Sequence, residues 1–208
     1  MMKRLRGLLS VLAVVTLAGP IPAGAASITL GDQDFAAGSV VSLGTFTAAQ
    51  GGEPAPIGVF IGDDPGGTFF SASWTFNFAP GAVGPASITF GILDTDSAEP
   101  GHQLASFSVD GVDLTAALDA LFEAPGIGNQ AQVDVFTLAL SGAALAALAD
   151  GSATVSLTLQ GPANAGYPGN GAALDFSRLD FGPSVPEPTT LALLGLGLAG
   201  LGFSRRKP

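Results

Sequence analysis

The stretch FSASWTFNF, residues 70–78, decides the fold, because its apolar and polar residues alternate without interruption. Apolar side chains at every second position give a β-strand one buried face and one exposed face. The same alternation recurs at 87–92, 105–109 and 155–159, which predicts three more half-buried strands. Trp74 falls on the apolar side of its strand, and we therefore expect it in the core rather than at the surface.

Less regular apolar runs predict the remaining strands. They lie near residues 27–30, 40–47, 57–61, 132–140 and 173–181. Asp-Gly pairs at 110–111 and 150–151 are turn signals. Leucines at helical spacing after Asp113 predict one short helix, and residues 143–149 predict a second. Many short strands with Gly/Pro-rich connections indicate an all-β domain over residues 26–184, a two-sheet, jelly-roll-like β-sandwich with one or two short connecting helices.

The charge of this domain is strongly one-sided. Residues 26–184 contain sixteen acidic residues and a single basic residue, Arg178. Such a surface repels nucleic acid and anionic lipid and attracts cations. The chain has no cysteine, which excludes disulfides, thiolate metal sites and a cysteine nucleophile.

The first 25 residues have the three parts of a signal peptide. A basic start with Lys3, Arg4 and Arg6 precedes an apolar run over 8–19. Ala23 and Ala25 then supply small residues at the −3 and −1 positions. We predict export and cleavage by signal peptidase after Ala25.

The last segment predicts a short membrane anchor. Residues 191–203 are entirely apolar and glycine-rich, and they span roughly 20 Å as a helix, against about 30 Å for a bilayer core. The basic residues Arg205, Arg206 and Lys207 follow, and such residues stay on the cytoplasmic side. The predicted transmembrane segment is 189–203, which would hold the precursor transiently in the inner membrane.

Residues 185–208 closely resemble the PEP-CTERM sorting signal. The resemblance rests on Pro186, Glu187 and Pro188, followed by the apolar run and then by Arg205, Arg206 and Lys207. It implies an exosortase substrate from a Gram-negative bacterium that makes exopolysaccharide. It also implies that the tail is removed and the protein is released or attached at the cell surface.

Catalytic chemistry finds little support in the sequence. The single histidine, His102, stands in a loop where we expect it to be solvent-exposed, and one histidine is too few for a typical zinc site. The residues predict no catalytic constellation, no required cofactor and no enzyme. An extracellular carbohydrate-active hydrolase that uses paired carboxylates is the alternative, because two carboxylates are all that such an enzyme needs.

Two binding hypotheses remain. Asp94, Asp96 and Glu99 place three carboxylates in one loop, which suggests structural calcium, and Asp32 with Asp34 forms a second Asp-x-Asp pair. Tyr167, in a loop rich in glycine and asparagine, is the candidate for contact with a sugar. We therefore predict a mature protein outside the cell or on its surface that is a structural or binding component of the exopolysaccharide or biofilm matrix.

Overall fold

The computed structural model describes residues 25–62, 69–81, 83–94, 102–123, 131–161 and 169–182. All of them belong to one compact unit that spans residues 23–185. Predictions made for the signal peptide before Ala25 and for the tail after Gly182 lie outside the described residues.

Nine strands occur in the described part of the chain. In chain order they are β1 (Ala26–Leu30), β2 (Ser39–Val40), β3 (Ser71–Asn77), β4 (Ala86–Asp94), β5 (Leu104–Val109), β6 (Val112–Asp113), β7 (Gln132–Leu140), β8 (Ser152–Leu159) and β9 (Ala172–Phe181). The first sheet has the order β1-β9-β4-β7-β2, and the second has the order β3-β8-β5-β6. All strand pairs within the sheets are antiparallel.

The strand order confirms the predicted fold class. Apart from the two-residue β2, the chain passes back and forth between the sheets, so that β1 pairs with β9 in one sheet and β3 pairs with β8 in the other. This nested pairing is the jelly-roll arrangement of an all-β sandwich.

Aromatic residues fill the space between the sheets. Trp74 and Phe76 are buried while Ser73 and Thr75 are exposed, so the alternation that predicted β3 is confirmed, with Trp74 on the core side. The indole Nε1 of Trp74 donates a hydrogen bond of 2.9 Å to Oγ of Ser177, so its one polar group is satisfied inside the core.

Three short helices connect the strands. They are α1 (Leu43–Ala49), α2 (Thr115–Phe122) and α3 (Gly142–Ala147), and a 3₁₀ turn at Leu148–Asp150 continues α3. The two predicted helices thus correspond to α2 and α3. Asp113 acts just outside α2, where its Oδ1 accepts hydrogen bonds from the backbone N–H of Thr115 at 2.9 Å and from the Thr115 hydroxyl.

The strand predicted over 40–47 is wrong, since most of that segment is α1. The hydroxyl of Ser42 accepts a hydrogen bond from the backbone N–H of Thr45 at 3.1 Å and so caps the helix. One helical face is anchored by Phe46, which is fully buried and stacks on Phe35 with 5.5 Å between the ring centroids.

The strand predicted over 57–61 is also wrong. Only isolated bridges form there, from Ile57 to Leu174 and from Ile61 to Ala172. Between them Gly58 has a φ of +68°, a left-handed conformation that interrupts any extended strand.

The described helices are all too short to cross a membrane as an apolar span. The segment predicted to do so, 189–203, lies outside the described residues and stays a prediction.

Candidate functional sites

The structure describes few of the residues that the sequence singled out. Asp94 is the last residue of β4, where its backbone lies opposite Gln132 of β7 and Ala172 of β9. Asp96, Glu99 and Tyr167 lie outside the described residues, as do Ala23 and the motif residues Pro186, Glu187, Pro188, Arg205, Arg206 and Lys207. Ala25 is described and exposed. The loop calcium site and the tyrosine contact therefore stay predictions.

The outer surface of the second sheet carries three rows of paired hydroxyl groups. The pairs join β3 to β8: Ser71 with Thr158, Ser73 with Ser156, and Thr75 with Thr154, at oxygen–oxygen distances of 3.0, 3.1 and 3.0 Å. We call these six residues the hydroxyl face.

The hydroxyl face is regular and uncharged. Its paired residues stand directly opposite each other in the strand register, so successive rows are about 7 Å apart along the strands. The nearest strand on the β8 side is β5, whose Ser108 stands opposite Ser156 and adds another hydroxyl. The first carboxylate reached in that direction is that of Asp113 on β6, which stands opposite Ser108 at the edge of the sheet.

A pocket of about 210 Å³ adjoins the hydroxyl face beside β3. Its lining residues are Leu30, Pro54, Ala55, Pro56, Ile57, Ser73, Trp74 and Thr75, so it is mainly apolar and contains no carboxylate. Ser73 and Thr75 belong both to the pocket wall and to the hydroxyl face. Apolar surface next to hydroxyl groups is a combination that suits a sugar ring, which has apolar faces and a polar rim.

A second cluster involves the single histidine. His102 is exposed, as predicted, but its Nδ1 lies 2.6 Å from Oδ2 of Asp119 on α2. One ligand atom each from His102, Asp119 and Glu123 all lie within 4.8 Å of one another. Two carboxylates and an imidazole suit a divalent metal ion, but His102 and Glu123 are both exposed, and surface groups of this kind occur commonly without a metal.

A third cluster, at the outer surface of the first sheet, is largely buried. It comprises Asp32, Asp34, Gln50, Glu53 and Asp175, and we call it the Gln50 cluster. The Nε2 group of Gln50 donates to Oδ1 of Asp175 at 2.5 Å and to Oδ2 of Asp34 at 3.2 Å. The other oxygen of Asp175 accepts from the backbone N–H of Phe35 at 3.3 Å, and Oε1 of Glu53 accepts from the backbone N–H of Asp32 at 2.8 Å.

The electrostatics of the Gln50 cluster favour protonated carboxyl groups. Burial, together with the nearby Asp32, raises the pKa of Glu53 from 4.5 to about 7. Burial also raises the pKa of Asp175, although hydrogen bonds from Phe35 and Gln50 act in the opposite direction. Carboxylates have therefore been brought together here without enough positive charge to compensate them.

Sequence reasoning found only part of these sites. The Asp-x-Asp pair at Asp32 and Asp34 was visible in the sequence, but Asp175 is 140 residues away from Phe35, to which it bonds. The serines and threonines at alternate positions of β3 and β8 could have predicted the hydroxyl face, since they all fall on the polar side of their strands.

Comparison with known protein families places the sorting signal. Residues 184–207 match the PEP-CTERM protein-sorting motif, which confirms the resemblance found in the sequence and confines it to the C-terminal segment. Comparisons with curated proteins and with solved structures gave no match.

The fold and the motif together define the class of protein. The chain is an exported β-sandwich protein with a C-terminal sorting signal. It carries a PEP-CTERM motif, which implies a membrane-anchored precursor, processing by an exosortase-type enzyme, and a destination at the cell surface or outside the cell.

Proposed function

We propose that this protein is a structural or binding component of the extracellular matrix and that its hydroxyl face binds exopolysaccharide. The observation that carries the proposal is the set of three uncharged hydroxyl rows on a domain with sixteen acidic residues and one basic residue. A polysaccharide that meets the acidic parts of the surface meets carboxylates, whereas the hydroxyl face offers hydrogen bonds without charge repulsion.

The chemistry of paired hydroxyl groups supports this role. A serine or threonine hydroxyl has one donor and two acceptor positions, so a pair that shares one hydrogen bond keeps capacity for a ligand. Sugar hydroxyls also donate and accept, and a regular row of such groups can follow a polymer over several rings. The adjoining pocket beside Ser73 and Thr75 adds apolar surface for a ring face.

Binding is expected to depend on the hydroxyl face. In co-sedimentation with exopolysaccharide purified from the native host, the 26–184 domain should bind, and Thr75→Glu should weaken binding about tenfold or more, because it places a charged side chain in one row. The matched control is Thr29→Glu, which alters an exposed threonine on the edge strand of the other sheet and should bind normally.

Three outcomes would count against this assignment. Failure of the unmodified domain to bind would reject the matrix-binding function, and equal binding by both variants would reject the hydroxyl face as the site. Release of reducing sugar ends during the incubation would favour the carboxylate hydrolase instead.

The sorting step makes its own prediction. Intact mass measurement of the protein from the native host's medium and cell envelope should find a chain that begins at Ala26 and has lost residues 189–208. Removal near Pro186–Pro188 would match exosortase-type processing. A mass that retains the tail would mean that 189–208 is a permanent anchor.

A further inference from the structure

We propose that Asp34, Gln50, Glu53 and Asp175 form a calcium site in this domain. It differs from the loop of Asp94, Asp96 and Glu99, in which the sequence suggested calcium. The proposal rests on the contacts within the Gln50 cluster, on two unpaired buried oxygens, and on the absence of a balancing cation among its described neighbours.

The first step is the position of the Gln50 amide. Gln50 follows α1 directly and is only 4% exposed, and Asp175 in β9 is fully buried. The Nε2 group of Gln50 lies between the carboxylates of Asp34 and Asp175 and donates to both. A neutral amide is thus the group through which two acidic side chains are held together, in the place where a cation would be expected.

The second step is an independent observation. Oε1 of Gln50 and Oε2 of Glu53 are both buried from solvent, and neither accepts a hydrogen bond. An unpaired acceptor in a protein interior costs about 1–3 kcal/mol, so native structures rarely leave one without a partner. A bound cation would satisfy both oxygens, and no rearrangement of carboxylates alone could do so, because ionised carboxylates have no proton to donate.

The amide of Gln50 can serve such an ion without a change of backbone. Its oxygen and nitrogen atoms exchange places when the amide turns by half a rotation, and their assignment follows from the surrounding hydrogen bonds. With a cation present, Oε1 would take the central position and join the oxygens of Asp34 and Asp175 as a ligand.

The third step is charge. The cluster contains four carboxyl groups, counting Asp32, and the domain's one arginine, Arg178, bonds to Asp180 at 2.9 Å. Burial pushes the carboxyl groups of Glu53 and Asp175 toward the neutral form, and a divalent ion would reverse that tendency by stabilising the ionised form.

The ligand types select the ion. All the candidate donors are carboxylate or amide oxygens, which are hard ligands that favour calcium or magnesium over transition metals. The site draws them from separate segments of the chain, two of them loops or turns. Calcium accepts irregular arrangements of six to eight oxygens, whereas magnesium demands near-ideal octahedral geometry.

Two glycines allow the segments to approach closely. Gly31 has a φ of +72°, and a Cβ there would stand 2.9 Å from the carbonyl oxygen of Asp175 and 3.1 Å from Oε2 of Glu53. Gly58 has a φ of +68°, and a Cβ there would stand 2.5 Å from Cβ of Gln50. The backbone is therefore packed tightly around the cluster, so the ligands are positioned before an ion arrives.

The test uses the 26–184 domain, which lies within the compact unit and contains its core, with the full-length chain in detergent as a check. After treatment with chelator, addition of calcium chloride should raise the melting temperature by several degrees, and isothermal titration should show one site. Asp175→Asn and Glu53→Gln should each weaken calcium binding about tenfold or more. Glu53→Gln covers the case in which Asp175→Asn does not fold, because Glu53 is less deeply buried.

Asp96→Asn is the matched control, because it removes one carboxylate from the other calcium candidate. We expect it to retain the full response to calcium. Loss of the response in Asp96→Asn alone would place the ion in that loop and overturn the proposal. So would the absence of any calcium response, an equal response to magnesium chloride, or an unchanged response in both cluster variants.

Discussion

Replacing Phe90 with alanine is expected to lower the free energy of unfolding by about 3–5 kcal/mol. Phe90 is fully buried in β4, and its ring lies at centroid distances of 6.5 Å from Trp74, 6.0 Å from Phe107 and 5.7 Å from Phe136. Removing it takes one ring from the middle of an aromatic group that joins the two sheets. The cavity that remains has rigid walls, because its neighbours belong to paired strands.

The measurement is denaturant unfolding of the 26–184 domain followed by tryptophan fluorescence, since the single tryptophan adjoins the mutated site. A domain of this size loses roughly 2–4 °C of melting temperature per kcal/mol, so a drop of about 10 °C is expected. The control is Phe69→Ala, which removes the same side chain where it is 41% exposed and should cost far less. Equal losses in the two variants would mean that Phe90 does not have the central packing role assigned to it.

The strands could be predicted where one face meets the core and the other meets water. In β3 and β8 the period of two residues is unbroken, since small hydroxyl side chains face outward and apolar ones face inward. In β7 the apolar run alone was sufficient, and the predicted bounds 132–140 agree with the structure. In each case the local pattern and the tertiary environment favour the same conformation.

The errors lie where the chain covers the outer surface of the first sheet. There α1 buries Phe46 in a small cluster with Leu93, Val133 and Ala173, apart from the main core. A single buried ring in a seven-residue helix gives no strong period, so residues 40–47 resembled a strand. The capping of α1 by Ser42 was the available local signal for the helix.

The binding sites were harder to predict because they depend on long-range pairing. The Gln50 cluster needs β1 and β9 to be adjacent and α1 to end above them, and no short window of sequence contains that information. The hydroxyl face differs, because its rows are visible as alternating serines and threonines. What could not be predicted was that β3 pairs with β8 in the register that sets these hydroxyls opposite each other.

The stability of the domain should fall with rising pH because of Asp134. This residue in β7 is 4% exposed, its Oδ1 accepts a hydrogen bond from Nε2 of Gln132 at 2.6 Å, and its Oδ2 is buried without a hydrogen bond. Burial raises the pKa of Asp134 above its usual 3.8, and the hydrogen bond from Gln132 only partly opposes this effect. The folded state therefore holds the proton more tightly than the unfolded chain does.

A raised pKa of this kind contributes stability that is complete below pH 3.8, the value in the unfolded chain, and is lost as the pH rises through the folded-state value. Asp134→Asn keeps the shape and removes the buried charge, so it should raise the melting temperature by several degrees at pH 8 and have little effect at pH 4. Thermal unfolding of the 26–184 domain in chelator at a series of pH values measures this, with exposed Asp150→Asn as the control for the same change of net charge. If Asp134→Asn were destabilising at pH 8, the ionised carboxylate would have to be stabilised by a partner in the fold, and the burial argument would fail.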